Sequence, residues 1–288
     1  MRSKFLAAVL LVVAMGLSVS GLAFAMPSST DSDTAHMTKL MPEWASLPIT
    51  LGFGATGDYV IDRKLDDGSA LSDTSWYGGN VYWDPLDNVH LSAFVGAANF
   101  RVGSVRINSD TTTKVELTTD TTFAGGGDAK VDVWQFPAFG NKHDVNMYAT
   151  GGYRHGGQAN VNQIHAGFDA RAFDLQVEIS EWHAGGGISQ QWDNPLDWFG
   201  WTWLKFSAIP YVGCEYSDMD VNISGNSSMP SNEVFPTRQV KTGHLNSDTK
   251  VAVVTGLQLL TFNNTWSVDV EGRFVAETAV SVSGHVRW

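Results

Sequence analysis

Two short patterns in the sequence contain the residue types that acid–base chemistry requires. Asp66 and Asp67 are adjacent aspartates, whereas Glu181 and His183 are two positions apart and would share one face of a strand. Either pair could in principle exchange a proton with a substrate or a water molecule. Neither pair is accompanied by a nucleophile and an orienting group at a recognisable spacing. The sequence therefore predicts that the chain is not an enzyme.

Metal and cofactor chemistry has no recognisable pattern in the chain either. The 8 histidines are scattered without the short spacings of metal ligands, and no D-x-D-x-D-G calcium loop is present. Neither a P-loop nor a dinucleotide fingerprint in a βαβ setting occurs. Cys214 is the only cysteine, which excludes an intramolecular disulfide, and its apolar surroundings favour a buried or lipid-facing thiol. We expect no metal and no cofactor.

A third pattern places charged residues on one face of extended segments. Between Trp266 and Glu277, apolar residues alternate with polar and charged ones, so a strand there has an apolar face and a charged face. On the first predicted strand, Asp62 is expected to share the charged face with Asp58. Interior charges should pair with one another, because an unpaired buried charge is costly. If such strands close into a barrel, their charged faces line its lumen. The predicted charge network in that lumen consists of Asp58, Arg154, Lys205, Glu215, Asp269, Glu271, Arg273 and Glu277.

The C-terminal segment shows the kind of element that carries such faces. Residues 278–288 alternate strictly, with Val280, Val282 and Val286 on the apolar face. A strand of this length suffices to cross a bilayer at a tilt. The segment resembles the C-terminal strand of bacterial outer-membrane β-barrels. That resemblance implies that Trp288 belongs to the signal recognised by the barrel-assembly machinery.

The N-terminal segment predicts export. Arg2 and Lys4 precede an apolar run over residues 5–15, and residues 23–25 form an Ala-Phe-Ala cleavage pattern. Residues 1–25 are therefore interpreted as a cleaved signal peptide. No later segment contains the roughly eighteen consecutive apolar residues that a spanning helix needs, so strands are expected to enter the membrane.

The composition fits a single membrane barrel. The chain has 288 residues, including 29 glycines and 11 tryptophans, and only 17% of its residues are charged. Small wall residues and aromatic girdles give barrels this composition. The formal net charge of −12 argues against nucleic acid as a partner. We interpret residues 26–48 as a periplasmic linker and residues 49–288 as the barrel, with outer-membrane lipid around it.

Turn signals divide the barrel into ten predicted strands. Four short turns follow aromatic residues, which predicts an aromatic rim on the periplasmic side. The rim residues are Trp83, Phe136, Trp192 and Phe262. Longer polar connections after residues 62, 101, 154 and 220 are predicted to be extracellular. The predicted strands cover residues 49–62, 74–83, 89–101, 121–136, 144–154, 173–192, 202–220, 249–262, 266–277 and 278–288.

The strand count depends on two glycine runs. If residues 125–127 or residues 185–187 formed turns, the count would be twelve, and eight is a further alternative. We favour ten, because each run continues into an apolar and aromatic strand, and glycines inside strands mark bends of a curved wall. The predicted fold is thus all-β, a closed antiparallel transmembrane β-barrel of about ten strands.

Segments in the last strands add a family resemblance. Residues 210–218, 270–274 and 277–282 resemble strand segments of small, uncharacterised outer-membrane β-barrel proteins. The resemblance implies this architecture and a location in the outer membrane of a Gram-negative bacterium. It implies no activity and no role for any of these residues.

The predicted size of the barrel limits its function. A barrel of about ten strands is nearly filled by its own side chains. We therefore expect a structural or surface-interaction role, with the loops as the variable working part and an extracellular ligand that the sequence does not identify. A narrow porin for small solutes is the first alternative, and an outer-membrane enzyme is the second.

Overall fold

The computed structural model describes residues 50–86, 88–106, 114–138, 143–165, 174–193, 206–226, 242–261 and 265–287. The predicted signal peptide, the predicted linker, Lys205, Phe262 and Trp288 lie outside these described residues. No described segment is a helix long and apolar enough to cross a bilayer. The strands, numbered in chain order, are β1 (Thr50–Lys64), β2 (Ala70–Leu86), β3 (Val89–Asn99), β4 (Arg101–Arg106), β5 (Lys114–Thr119), β6 (Thr122–Ala138), β7 (His143–His165), β8 (Asp174–Gln190), β9 (Trp192–Asp193), β10 (Phe206–Asn226), β11 (Gly243–Asn246), β12 (Val251–Thr261), β13 (Trp266–Phe274) and β14 (Glu277–Arg287).

Ten of these strands close into one antiparallel barrel. The neighbours follow the ring β1, β2, β3, β6, β7, β8, β10, β12, β13 and β14, and β14 pairs with β1 to complete it, with Val282 opposite Gly57. The four shorter strands extend this wall at its ends, since β4 and β5 pair between β2 and β7, and β9 and β11 pair with β10. The predicted closed barrel of ten antiparallel strands is confirmed, and both glycine runs lie inside strands, in β6 and β8.

The period-two pattern of the sequence determines which side chains enter the barrel. In β13, Val268 and Val270 are exposed on the outside, whereas Asp269 and Glu271 are buried inside. Side chains of successive strand residues point to opposite faces, so each strand contributes one face to the interior. The two faces predicted for this strand are therefore present in the structure.

Two strands continue well beyond their predicted ends. β7 runs to His165 instead of ending at Arg154, and β10 runs to Asn226 instead of ending at Asp220. Both extensions pair with β8. Much of what was predicted as loop after these two positions is therefore wall, although its Gly, Asn and Gln content is typical of loops.

The apolar face of the wall changes sides along the strands. Early in β8 the buried inward residues are apolar: Leu175, Val177 and Ile179. Farther along the strand, the inward residues are Glu181 and His183, whereas Trp182 and Ile188 point outward and are both 47% exposed. The part of the barrel with an apolar interior is called the cap, and the part with an apolar exterior is called the band.

The cap has its own hydrophobic core, which we call the cap core. Its buried residues include Leu65, Leu71, Phe100, Val102, Leu117, Ile179, Met219, Val221 and Leu245. The turn between β1 and β2 closes the cap on the side where β13 ends and β14 begins. Asp66 N donates to Asn246 O at 2.9 Å, and Asp248 N donates to Lys64 O at 3.1 Å. The cap is thus a closed continuation of the barrel whose interior is filled with apolar side chains.

Candidate functional site

Below the cap core, charged side chains from opposite parts of the wall meet in the interior. Arg63 of β1 donates to Glu181 of β8 at 2.5 Å and to Glu277 of β14 at 3.1 Å. The same guanidinium donates to Ser217 Oγ at 3.0 Å and to Ser247 Oγ at 2.8 Å. The side chain of Arg63 is 0% exposed, so these contacts are shielded from water.

Two further arginines complete this arrangement. Arg154 of β7 contacts Glu181 at 2.5 Å and also pairs with Asp58 of β1. Arg273 of β13 contacts Asp58 at 2.5 Å and Glu277 at 2.5 Å. Each carboxylate therefore lies between two arginines, and each arginine lies between two carboxylates. We call this closed cycle the ionic ring; its members in order are Arg63, Glu181, Arg154, Asp58, Arg273 and Glu277.

The alternation of charges explains how six ionised groups can be buried together. Transferring a charge from water to the protein interior costs several kcal/mol. This cost is of the same order as the attraction between that charge and one well-placed opposite charge. In the ionic ring every charge has two opposite neighbours, and the charges sum to zero. Arg154 also lies over the ring of Trp76, 4.8 Å from its centroid, which adds a cation–π contact.

The structure brings together part of the predicted charge network. Asp58, Arg154, Arg273 and Glu277 are members of the ionic ring, and Glu271 lies at its edge, 3.7 Å from Arg273. The remaining predicted members that the structure describes, Glu215 and Asp269, are buried in the interior outside the ring.

Sequence reasoning missed Arg63 and misassigned Asp62. A bulge between Val60 and Asp62 inserts one extra residue into β1, so Asp62 is exposed outside and Arg63 is buried inside. A strict period of two cannot reveal such a bulge, and the local sequence carries no glycine that would signal one. The expected interior position of Asp62 was wrong for this reason.

Glu181 was also missed as a ring member, although its sequence signal was present. It is two residues from Ile179, whose apolar side chain occupies the same inward face. Glu181 had been considered only together with His183, as an acid–base pair. In the structure Glu181 pairs with Arg63 and Arg154, while His183 Nε2 lies 3.2 Å from Asp128 Oδ1.

A second polar group lies deeper in the band. The hydroxyl of Tyr211 is 3.0 Å from Asp269 Oδ1 and 3.0 Å from Glu271 Oε2. Lys130 Nζ lies 4.8 Å from the centroid of the Tyr148 ring. These side chains occupy the interior of the band below the ionic ring, where all but Asp269 border a cavity of about 40 Å³. Within the described ranges, no group of three or more His, Cys, Asp or Glu residues is arranged to hold a metal ion.

The other candidate pair for acid–base chemistry lies in the turn between β1 and β2. Asp67 Oδ1 accepts a hydrogen bond of 2.9 Å from the backbone N of Ser69, and Asp66 is exposed. An aspartate that stabilises a turn typically accepts a hydrogen bond from the backbone N–H of the residue two positions later. The contacts of Asp67 are therefore those of a turn residue.

Ion pairs on the outside of the cap are of a different kind. Arg101 contacts Asp73 at 2.8 Å and donates a hydrogen bond to Glu116, with its side chain 37% exposed. The hydrogen bond to Glu116 raises the pKa of Arg101 above its ordinary value. These contacts are open to solvent, so each contributes little to stability.

Two belts of exposed aromatic residues border the band. At one end, three predicted rim residues are exposed near strand ends, Trp83, Phe136 and Trp192, together with Phe53, Trp134 and Trp266. At the end next to the cap, seven more aromatic residues are exposed: Tyr59, Tyr77, Phe123, Tyr153, Trp182, Tyr216 and Phe274. Trp182 and Trp192 are ten residues apart, which corresponds to about 33 Å along a strand. Because strands tilt by about 40° from the barrel axis, this distance is about 25 Å along the axis. The exposed residues between the belts are predominantly apolar or small.

These features define an all-β protein of the closed-barrel class. No protein-family model and no curated protein matches the sequence. Among solved structures, the chain is similar to the transport unit of the autotransporter AIDA-I from Escherichia coli, at 11% identity and a TM-score of 0.35, over 88% of this chain and 94% of that one.

Two further structures are similar to a comparable degree. The outer membrane protease OmpT from Escherichia coli has 9% identity and a TM-score of 0.33, over 83% of this chain and 94% of that one. The translocator domain of the autotransporter NalP from Neisseria meningitidis has 8% identity and a TM-score of 0.33, over 83% and 87%. At such values no residue role transfers from these proteins to this chain.

Proposed function

We propose that this chain is an integral outer-membrane β-barrel with a closed lumen and a structural or surface-interaction role. The observation that carries this proposal is the change of the apolar face at the boundary between band and cap. The band has an apolar exterior between two aromatic belts, which suits a surrounding lipid bilayer. The cap has a polar exterior over an apolar core, which suits surrounding water. The boundary at Trp182 and Tyr216 would then coincide with the surface of the membrane.

The interior of the barrel supports a closed lumen. A solute crossing the barrel would have to separate the paired charges of the ionic ring and then pass through the cap core. Arg63, Glu181 and Glu277 are all nearly inaccessible, and the cap core residues Leu65, Leu71 and Leu117 have at most 1% exposure. Both obstacles argue against the narrow porin considered from the sequence.

The working part of the molecule is then the outside of the cap. Its wall residues are polar where they point outward, for example Gln176, Glu178, Asp220 and Asn222. A rigid wall that holds loops above the membrane is suited to contacts with other molecules. The proposed role is not catalytic, because Glu181 is held by two arginines and Asp67 serves the turn that contains it. Outer-membrane lipid and the barrel-assembly machinery are the proposed partners.

Conductance of the refolded protein in a planar bilayer tests the closed lumen. We expect no steady open state, because the ionic ring and the cap core leave no continuous aqueous path. A heat-modifiable shift in electrophoretic mobility serves as the control that the reconstituted protein is folded. A stable, ion-selective conductance of the folded protein would contradict the proposal and favour the porin, which should prefer cations because acidic residues predominate in the lumen.

A further inference from the structure

A small cavity lies in the interior of the band beside the ionic ring. Its volume is about 50 Å³, and its lining includes Asp58 and Arg154 of the ring. Arg273 of the ring and Asp128 also border the cavity, and neutral polar side chains contribute to its lining: Thr56, Trp76, Asn80, Ser92, Tyr153 and Ser281. The cavity is thus bordered both by ionised groups and by neutral hydrogen-bonding groups.

Three of the neutral groups have unused hydrogen-bonding capacity. Trp76 Nε1, Asn80 Oδ1 and Ser281 Oγ have no hydrogen-bond partner among the described residues. The three residues are only 2%, 6% and 6% exposed, so bulk water does not reach them freely. Leaving a buried polar group without a partner costs on the order of 1–3 kcal/mol. A donor, an acceptor and a hydroxyl that can act as either border the same small space, which indicates a shared occupant.

The size and chemistry of the cavity restrict that occupant. Sites for organic ligands have volumes of hundreds of Å³, whereas one water molecule needs roughly 10–15 Å³ of such space. A metal cation is disfavoured because the guanidinium groups of Arg154 and Arg273 balance the carboxylates of Asp58 and Asp128 in the lining. An apolar occupant would leave the polar atoms unpaired. We infer that this cavity binds a cluster of water molecules that hydrogen-bond to Trp76, Asn80 and Ser281 and hydrate the ionic ring.

This hydration gives the ionic ring two different faces. Toward the cap, Arg63 of the ring is 0% exposed and hydrogen-bonds to the hydroxyl groups of Ser217 and Ser247. Toward the cavity, Asp58 and Arg154 gain water contacts in addition to their ion pairs. Ordered water of this kind lowers the cost of burying charge without opening a path through the cap core. The site is independent of the proposed surface role, since it depends only on the interior of the band.

Magnetic resonance on the folded protein in detergent micelles tests the site. With tryptophan labelled by ¹⁵N, and the Trp76 signal identified by its loss in Trp76→Phe, we expect cross-relaxation between the indole N–H of Trp76 and water. Ser281→Val fills the space with methyl groups and should abolish this signal. The matched control is Ser189→Val, because Ser189 is also buried and has no described partner but does not line the cavity. The signal should persist in that control.

Two results would overturn the inference. One is the absence of the water signal in the native protein, and the other is an unchanged signal in folded Ser281→Val. If Ser281→Val does not fold, Ser281→Ala decides the question through its urea midpoint. An unchanged or lowered midpoint supports a hydrated hydroxyl, whereas a raised midpoint means that the hydroxyl was unsatisfied and the cavity is dry.

Discussion

Arg63 connects Glu181 to Glu277 and thereby closes the ionic ring. Replacing it by methionine would leave each of these carboxylates with only one arginine in a site shielded from water. Breaking a buried ion pair in this way typically costs about 3–5 kcal/mol. We expect Arg63→Met to lower the free energy of unfolding by that order, measured by urea titration of the refolded barrel.

An exposed arginine provides the matched control for this prediction. Arg101 also has two acidic partners, but its side chain is 37% exposed. Arg101→Met should therefore lower the free energy of unfolding by less than about 1 kcal/mol. Equal losses for the two variants would show that burial does not distinguish the ring from a surface ion pair.

Gly156 illustrates how closely the inner residues pack where the band meets the cap core. A Cβ atom at this position would lie 2.4 Å from Cζ of Phe100 and 3.2 Å from Cη2 of Trp76. Both aromatic rings are buried and cannot move aside freely. We predict that Gly156→Ala lowers stability by about 1–3 kcal/mol, the usual range for overpacking. Gly103→Ala is the control, because its new methyl group would have no neighbour closer than 3.7 Å, and thermal unfolding should show no comparable loss there.

At the residue scale, the sequence predicted the ring members that obey a strict alternation. Asp58, Arg154, Arg273 and Glu277 were assigned to the interior, because each lies on the polar face of its strand, opposite the apolar residues with which it alternates. Arg63 was missed, because a single extra residue in β1 exchanges the inward and outward positions after it, and nothing in the local sequence indicates that extra residue. The pairing itself could not be predicted either, since it joins residues as far as 215 positions apart in the chain, as for Asp58 and Arg273.

At the element scale, β13 and the turn after it offer a depth-dependent test of the band. Val270 points outward between the two aromatic belts, and Val275 is 73% exposed in the turn next to the cap. Arginine facing hydrocarbon costs about 2–4 kcal/mol at the midplane and about 0–1 kcal/mol near the surface. We therefore expect Val270→Arg to destabilise the barrel in lipid vesicles much more than Val275→Arg does. Comparable costs at both positions would argue against a membrane around the band.

The sequence predicted the number of strands better than their lengths. Short turns after aromatic residues defined the strand ends in the band, where the exterior is apolar and alternation is clear. In the cap the exterior is polar, and bulges interrupt the period in β7, between Gly156 and Ala159 for example. The glycine, asparagine and glutamine residues after Arg154 are typical of a loop, although the backbone there continues to pair with neighbouring strands. β8 nevertheless shows the change of face plainly, with Leu175, Val177 and Ile179 followed by Trp182.

At the scale of the whole molecule, accessibility to a membrane-impermeant thiol reagent tests the orientation. In a Cys214→Ser background, Asp66→Cys places a thiol on the exposed cap turn, and Leu86→Cys places one at the opposite end, where Leu86 is 60% exposed. Intact cells should be labelled at position 66 only, and permeabilised cells at both positions. Preferential labelling of position 86 in intact cells would reverse the proposed orientation.

Assembly of the barrel provides a second test at this scale. The resemblance of the C-terminal strand to outer-membrane barrels predicts that Trp288 acts as a recognition signal. Trp288→Phe keeps an aromatic end and should reach the membrane in the native amount, whereas deletion of Trp288 should lower that amount, measured by immunoblotting of membrane fractions. Equal amounts of the deletion variant and the native protein would show that assembly does not depend on this residue.

If the band spans a membrane as proposed, the change of apolar face determines how deep the molecule sits in it. If the barrel moved outward, the apolar exterior of the band would enter water. If it moved inward, the polar exterior of the cap would enter hydrocarbon, where unsatisfied polar groups are costly. Both displacements raise the free energy, so the chain specifies its own vertical position. Where the bilayer is thicker or thinner than the band, either the bilayer changes its thickness around the protein or the barrel tilts, because sliding leaves the mismatch unchanged.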